Sequence, residues 1–305
     1  MKKNLYIVNP TAGKGKGKKG IPLIKSFCKD NSCKIVETKY PLHATELVIE
    51  NKQEYKNIIA VGGDGTVNEV ISGIGAGAHN NLGVLPVGSG NDFFKNIDLG
   101  ESLKDSLSII NSPDLQKQLL VDIGKISFTE NGNKEQKTHL FVNNLGFGFD
   151  AYVGYINQNN KAFSGITSYL YAVIKALFNY KMINITMKFD DREISGSKLL
   201  VSIGNGISSG GGFFLTPEAL INDGLLDLNI IEKVTRRRLL MALPMALANK
   251  IDKIPESNLN KAERIKINLE EPYFAHCDGE IISKELSTAE ITLYKNALNV
   301  ITSNR

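Results

Sequence analysis

The stretch IIAVGGDGTVNEV, residues 58–70, decides the fold. IIAV reads as a buried strand, and VNEV opens a helical pattern. Between them stand Gly62, Gly63, Asp64 and Gly65. Glycines at a strand-to-helix turn let backbone N–H groups approach an anion, and the helix N-terminus adds partial positive charge. That is a phosphate cradle, yet it contains a carboxylate. A divalent cation resolves the conflict, because Mg²⁺ takes oxygen ligands and shares one or two carboxylates with substrate phosphates. Thr66 and Asn68 then add neutral donors. The competing reading makes Asp64 a helix N-cap beside Thr66.

Outward from this turn, strand and helix alternate. LYIVN (5–9), CKIVETKY (33–40), IIAVGG (58–63) and NLGVLPVG (81–88) predict strands. Residues 20–29, 43–52, 67–75 and 102–110 carry helical spacing, the first with Pro22 in its opening turn. Strands separated by helices imply a parallel sheet covered on its faces. Ligands of such sheets bind beyond the carboxyl ends of the strands. Three strands there run into unusual loops, NPTAGKGKGKKG (9–20), GGDGTVNE (62–69) and LPVGSGNDFF (85–94). Each mixes glycine with Thr, Ser or Asn donors. The first is not a Walker A motif, because the GxxxxGK[ST] spacing fails. Its lysines, Lys14, Lys16, Lys18 and Lys19, read as a solvated loop.

Near Val121 the rhythm changes. KISFTE (125–130), THLFVNNLGFGF (138–149), INITMKFDD (183–191), SKLLVSIGNG (197–206), LLDLNIIE (225–232), RIKINLE (264–270) and EITLYKN (290–296) are short apolar or alternating runs divided by turn residues. This predicts an antiparallel sandwich or barrel, with helical insertions at 164–179 and 235–249.

Composition narrows the classes. The 305 residues are 42% hydrophobic and 22% charged, as in ordinary globular chains. A net charge of +4 gives no ground for a nucleic-acid role. Cys28, Cys33 and Cys277 lack metal-ligand spacing and read as reduced thiols of a cytoplasmic protein. The N-terminal apolar run is too short for a signal sequence, and no stretch approaches the length of a membrane span. GITSYLYAVIKALFNYK (165–181) and KVTRRRLLMALPMALANK (233–250) are the two segments that could meet a membrane surface. Arg236, Arg237 and Arg238 beside Leu239, Leu240 and Met241 fit an interfacial helix on anionic lipid, or equally a core helix with a solvated charge cluster.

GGDGTVNEV resembles the nucleotide loop of the diacylglycerol-kinase catalytic family, which includes bacterial lipid kinases, sphingosine kinases and ceramide kinases. NPTAGKG is similar to that family's NPxxG segment. LPVGSGNDFF is similar to its PxGTxNDFA segment, with Ser89 for the usual threonine. GNGISSGGGFFLTPEALINDGLLDL (204–228) and HCDGE (276–280) resemble its later motifs. NAD kinases share GGDGT, but Asn68-Glu69 directly after it is the lipid-kinase form.

The resemblance implies an α/β nucleotide domain at 1–122, joined by 296–305, and a C-terminal β-sandwich lipid domain at 123–295, with ATP in the cleft between them. It implies nucleotide contacts at Asn9, Thr38, Gly62, Gly63, Asp64, Gly65, Thr66, Val67, Asn68 and Ser89. It implies a structural metal at Asp223 with backbone carbonyls near Leu220 and Leu225, and a general base in the DGE segment, Asp278 or Glu280. From spacing alone, NDGLLDL and HCDGE also read as tight turns, and His276 as structural. The expected activity is Mg²⁺-requiring transfer of the ATP γ-phosphoryl group to a lipid hydroxyl, diacylglycerol first. A sphingoid base, phosphatidylglycerol, an undecaprenyl-type alcohol or a soluble metabolite is the alternative acceptor. A catalytically silent regulator is the rival class. Peripheral membrane contact and a homodimer are compatible with this reading.

Overall fold

A computed structural model describes residues 2–28, 33–160 and 166–304. The chain divides into two compact units, one of Met1–Asp122 with Lys295–Arg305, the other of Ile123–Tyr294.

In the first unit, strands β1 (Lys2–Val8), β2 (Cys33–Glu37), β3 (Tyr55–Gly62) and β4 (Asn81–Pro86) alternate with helices α1 (Ala12–Phe27), α2 (His43–Asn51), α3 (Asp64–Ile74) and α4 (Leu103–Asn111). The strands are parallel in the order β4-β3-β1-β2. The last strand of the chain adds to β4 in parallel, with Asn299 opposite Asn81. Leu5, Ile7, Ile58, Val61, Leu82 and Leu85 are fully buried, as a sheet covered on both faces requires. The register is pinned by a buried amide ladder. Asn57 Nδ2 donates to Asn4 Oδ1 and Asn81 Nδ2 donates to Asn57 Oδ1, both at 2.8 Å, and these three residues are direct cross-strand neighbours. Helix α4 starts with a capping box between Ser102 and Asp105.

Two expectations fail here. The glycine-lysine run is not a loop throughout. Gly13, Lys14 and Gly15 are left-handed, and the chain is helical from Lys16 onward. Gly17 lies so close to the carbonyl of Asn9 that a Cβ there would overlap it. This contact seats the first turn against β1, so Pro22 falls inside α1 and not in its opening turn. Cys28 and Cys33 form a disulfide with a Cα–Cα distance of 5.8 Å, against the reduced thiols expected. The short connection from α1 to β2 brings them together. Cys277 is a free buried thiol.

In the second unit, β7 (Asn144–Gly148), β8 (Ile183–Phe189), β9 (Arg192–Gly204), β10 (Leu226–Glu232), β11 (Ser257–Ala262) and β12 (Ile265–Cys277) pair antiparallel, and β6 (Lys137–Phe141) pairs antiparallel with the strand before it. β5 (Gln116–Glu130) and β13 (Glu280–Ser303) continue across the unit boundaries. β8 pairs with the first part of β9 and with the start of β12. β7 pairs with the later part of each. The inward faces make one core, including Phe128, Phe141, Phe147 and Met187. A second core lies under helices α5 (Phe149–Gln158), α6 (Ile166–Asn179) and α7 (Arg236–Leu247).

The run 138–149 was expected as strand. It breaks into β6 and β7, then turns at Gly148 (φ 93°) into α5, which the alternation of apolar residues did not signal. β11 was also unforeseen, because SNLNKA has no apolar run. Pairing to β10 holds it. Of the first predicted insertion, 164–165 lie outside the described residues. No helix among the described residues is long and apolar enough to cross a membrane.

Candidate active site

The carboxyl ends of β1, β3 and β4 bring three loops together. Asn9 Nδ2 donates to Thr66 Oγ1 at 3.2 Å, joining the first loop to α3. Asn9 Oδ1 in turn accepts from the N–H and hydroxyl of Thr11 at 3.1 and 2.9 Å. The N–H groups of Val87 and Gly88 donate to the carbonyl of Gly62 at 3.1 and 3.2 Å. A Cβ on Gly88 would overlap Cα of Gly63, so the two glycines set how close these loops come.

Gly63 is the N-cap of α3 and Asp64 its first helical residue. The N–H of Val67 closes the first helical bond, to Gly63 at 3.1 Å. Asp64, Gly65 and Thr66 therefore carry N–H groups that precede the intrahelical ladder, which is the anion-binding end of a helix. Val67 does not belong with them. Its side chain is in the core and its N–H is used within the helix. Asn68 Oδ1 and Asn91 Oδ1 are buried with no hydrogen-bond partner among the described residues. Thr38 follows β2, with its N–H bonded to the carbonyl of Val8 at 2.8 Å. Ser89 is exposed at the tip of the third loop.

Asp64 is not an N-cap side chain. Its Oδ1 accepts from the N–H of Phe93 at 3.2 Å, which ties the second loop to the third. Burial lifts its carboxyl above the usual range, and the nearby Asp92 carboxylate lifts it further. Asp92 pairs with Lys95 at 2.6 Å. Sequence reasoning missed Asn91 and Asp92, although both stand in the GND segment that it quoted. A buried acid beside a second acid, in a turn otherwise made of donors, fits an oxygen-liganded Mg²⁺ held by Asp64 with Asp92 adjacent.

In the second unit, Cys277 and Glu280 pair across a two-residue hairpin turn made of Asp278 (φ 48°) and Gly279 (φ 86°). Positive φ at both positions is the type I′ pattern that Asp-Gly supplies. Asp278 Oδ1 accepts from the N–H groups of Asn143 and Asn144 at 3.0 and 2.8 Å, and Oδ2 from Val142 at 3.0 Å. Its carboxylate is thus fixed in orientation by the β6–β7 connection. Glu280 is exposed at the start of β13. His276 is buried, with Nε2 3.2 Å from Asp150 Oδ2. Only a glycine at 146 leaves room for that pair.

Asp223 does not offer an open carboxylate. Its Oδ1 accepts from the N–H of Leu225 at 3.0 Å, and its Oδ2 lies 3.1 Å from Lys261 Nζ. Lys261 also lies 3.3 Å from Asp227 Oδ2. Burial pushes the Asp227 carboxyl up to about 6, against the pull of Lys261. No cluster of three His, Cys, Asp or Glu residues suited to a metal occurs among the described residues. Asp223 with the carbonyls of Leu220 and Leu225 does not fit the metal expected there, because an ammonium already holds the carboxylate.

Under α5, α6 and α7 lies a cavity walled mainly by apolar side chains, among them Phe149, Val153, Val173, Leu200 and Leu243. Asp150 and the ion pair of Arg238 with Glu256, at 2.8 and 2.9 Å, are its charged lining.

A parallel-sheet unit with a phosphate-type glycine turn, followed by a sandwich unit with an acidic hairpin, defines a kinase of the lipid-kinase and NAD-kinase fold class. Two family models match in chain order. The diacylglycerol kinase catalytic domain covers residues 3–126, and the YegS C-terminal NAD kinase beta sandwich-like domain covers residues 143–302. A diacylglycerol kinase of Staphylococcus saprophyticus is 29% identical over 284 residues, spanning 92% of this chain and 89% of that one. A candidate YegS-like lipid kinase of Klebsiella pneumoniae (strain 342) is 31% identical over 242 residues, spanning 77% of this chain and 75% of that one. The crystal structure of a candidate diacylglycerol kinase from Bacillus anthracis str. Sterne superposes with a TM-score of 0.76 at 25% identity, covering 99% of this chain and 98% of that one. Yeast NADH kinase shares the fold, with a TM-score of 0.55 at 9% identity over 98% and 83%. The chain belongs to the bacterial diacylglycerol kinase and lipid kinase family, and it is a lipid kinase.

Proposed function

We propose that the protein phosphorylates diacylglycerol, giving phosphatidic acid, with ATP as donor and Mg²⁺ as cofactor. The observation that carries the donor half is the junction of three loops, where Asn9 meets Thr66, Gly63 meets Gly88, and Asp64 stands among helix-start N–H groups that precede the intrahelical ladder. Asn9, Thr38, Gly62, Gly63, Gly65, Thr66, Asn68 and Ser89 bind the nucleotide in this reading. Mg²⁺, held at Asp64, neutralises charge on the phosphates when bound. Phosphoryl transfer passes through a loose transition state, so positioning and charge stabilisation do most of the work.

The acceptor half rests on the apolar cavity of the second unit. Its apolar walls suit an acyl chain, and its charged lining is confined to Asp150, Arg238 and Glu256. The acceptor hydroxyl gives its proton to the acidic hairpin, with Asp278 as base and Glu280 as its orienting partner. A base fixed by three backbone donors is aimed without cost at the moment of reaction, and a loose transition state needs little early deprotonation.

The protein works at a membrane surface in this reading. Tyr171, Ile174 and Phe178 form one exposed apolar stripe on α6, and Leu240 and Met241 are exposed on α7. Arg236 donates to the carbonyl of Phe178 at 3.3 Å, so the end of α6 and the start of α7 meet. Arg238 leaves the expected cluster of three, because it pairs with Glu256. Arg236 and Arg237 remain exposed beside the apolar stripe, as anionic lipid binding requires.

Incubation with labelled ATP, Mg²⁺ and a lipid panel tests the substrate. Labelled phosphatidic acid is the expected product. A different labelled lipid as the main product would overturn diacylglycerol and leave the donor site standing.

A further inference from the structure

The resemblance assigns a divalent ion to the turn at Asp223. The side chains around that turn are arranged for a different cation. Lys261 stands on β11 directly opposite Asp227 on β10, so the antiparallel register itself delivers its ammonium to this corner. There Nζ lies 3.1 Å from Asp223 Oδ2, 3.3 Å from Asp227 Oδ2 and 3.5 Å from the carbonyl of Glu218. An ammonium has three donors and no acceptor, and three oxygens surround it. The other Asp223 oxygen is taken by the N–H of Leu225, which closes the turn locally. Both ends of the Asp223 carboxylate therefore have protein partners.

Mg²⁺ asks for something else. It needs near-octahedral oxygen ligands at about 2.0–2.1 Å and usually keeps several waters. To use Asp223 it would have to displace the ammonium from Oδ2, or lie beside a like charge. Asp227, buried at 6% exposure, would then lose its paired cation. Lys261 is itself exposed, but Asp227 is the buried member of the pair, and losing the ammonium leaves its carboxylate without a compensating charge.

We propose that the ammonium of Lys261 takes the place of the divalent ion at the Asp223 turn, so that the second unit holds this turn with a cation of its own. The lipid kinase then needs Mg²⁺ for its nucleotide and not for the fold of its sandwich unit. This inference is independent of which lipid is the acceptor.

The test is thermal unfolding of the full chain without nucleotide, in EDTA and in millimolar Mg²⁺. The wild-type midpoint is expected to be the same in both. Lys261→Met is expected to unfold about 2–4 °C earlier in EDTA, the shift that a loss of about 1 kcal/mol produces in a unit of this size. The double variant Lys261→Met/Asp223→Asn is expected to lose less than the sum of its singles, because the two residues act through one contact. Three results would overturn the proposal. One is a wild-type midpoint that falls in EDTA, with the difference abolished by Asp223→Asn. The second is a Lys261→Met variant as stable as wild type. The third is strict additivity in the double variant. None of these readouts depends on kinase activity, so failure here leaves the proposed reaction untouched.

Discussion

Asp278 and Asn144 exchange two hydrogen bonds: the N–H of Asn144 donates to Asp278 Oδ1 at 2.8 Å, and the N–H of Asp278 donates to the Asn144 carbonyl at 2.7 Å. This doubled link, with the further bonds from Val142 and Asn143, makes Asp278 structural whatever else it does. Asp278→Asn puts an amide NH₂ where a backbone donor already points. It is expected to cost about 1–3 kcal/mol of stability, the penalty for an unmade buried hydrogen bond. Glu280→Gln, at an exposed site, is expected to stay within about 0.5 kcal/mol of wild type. Denaturant unfolding of both variants checks this. Turnover measured where both are folded then assigns the base. A loss of roughly 10²–10⁴-fold belongs to the true base, with ATP affinity unchanged. If only Glu280→Gln shows that loss, the base is Glu280 and Asp278 merely builds the turn.

Asp64→Asn keeps an oxygen for the N–H of Phe93 and removes the charge. Turnover is expected to fall at least about 10²-fold, the scale for losing one electrostatic element of a transition-state site. The protein is expected to remain folded. Near wild-type turnover in this variant would remove Asp64 from the metal site.

The same variant carries a pH signature. Below the unfolded carboxyl value of about 3.9, Asp64 is protonated in both states and costs nothing. Its folded value is raised by burial and by Asp92. As pH rises through that folded value, the native state must ionise a buried acid, and stability falls. Asp64→Asn is therefore expected to gain on wild type as pH rises from the acid side. Melting curves across pH without Mg²⁺ check it, and parallel curves for the two proteins would contradict it.

Gly88→Ala brings a methyl group into Cα of Gly63, and backbone cannot rotate away as a side chain can. The two loops must part. A destabilisation of about 1–3 kcal/mol, typical of overpacking, is expected together with weakened ATP binding. Calorimetric titration with ATP reads the second effect. Wild-type affinity in the folded variant would show that the spacing of these loops does not set the nucleotide site.

Ile174→Asp/Phe178→Asp replaces two of the three apolar side chains of the α6 stripe, exposed at 53% and 69%. Because they face outward, the fold is expected to hold. Sedimentation with anionic vesicles is expected to show reduced binding, and Arg237→Glu to reduce it further. Salt should weaken wild-type binding, since the Debye length is about 8 Å at physiological ionic strength. Equal binding of wild type and variants would return both helices to a packing role.

The sequence by itself determined what neighbours along the chain encode. Apolar runs of period two and helical spacing announce most of the strands and helices. Gly62, Gly63 and Gly65 around Asp64 announce a glycine turn between β3 and α3, and the ordered motifs announce a lipid kinase. The tertiary structure decided what depends on residues far apart. Lys261 reaches Asp227 only because β10 and β11 pair in one register, and no local pattern predicts a register for SNLNKA. Asp278 meets Val142, Asn143 and Asn144 across more than 130 positions, so its three backbone bonds are invisible in the string HCDGE. Asp92 comes beside Asp64 because the loops after β3 and β4 converge, although a span of 27 residues separates them. α1 begins early because Gly17 can touch the Asn9 carbonyl, a contact between a helix and the loop that precedes it. Propensity is a property of a few consecutive residues, whereas a charge partner, a register or a close approach exists only once the chain has closed on itself.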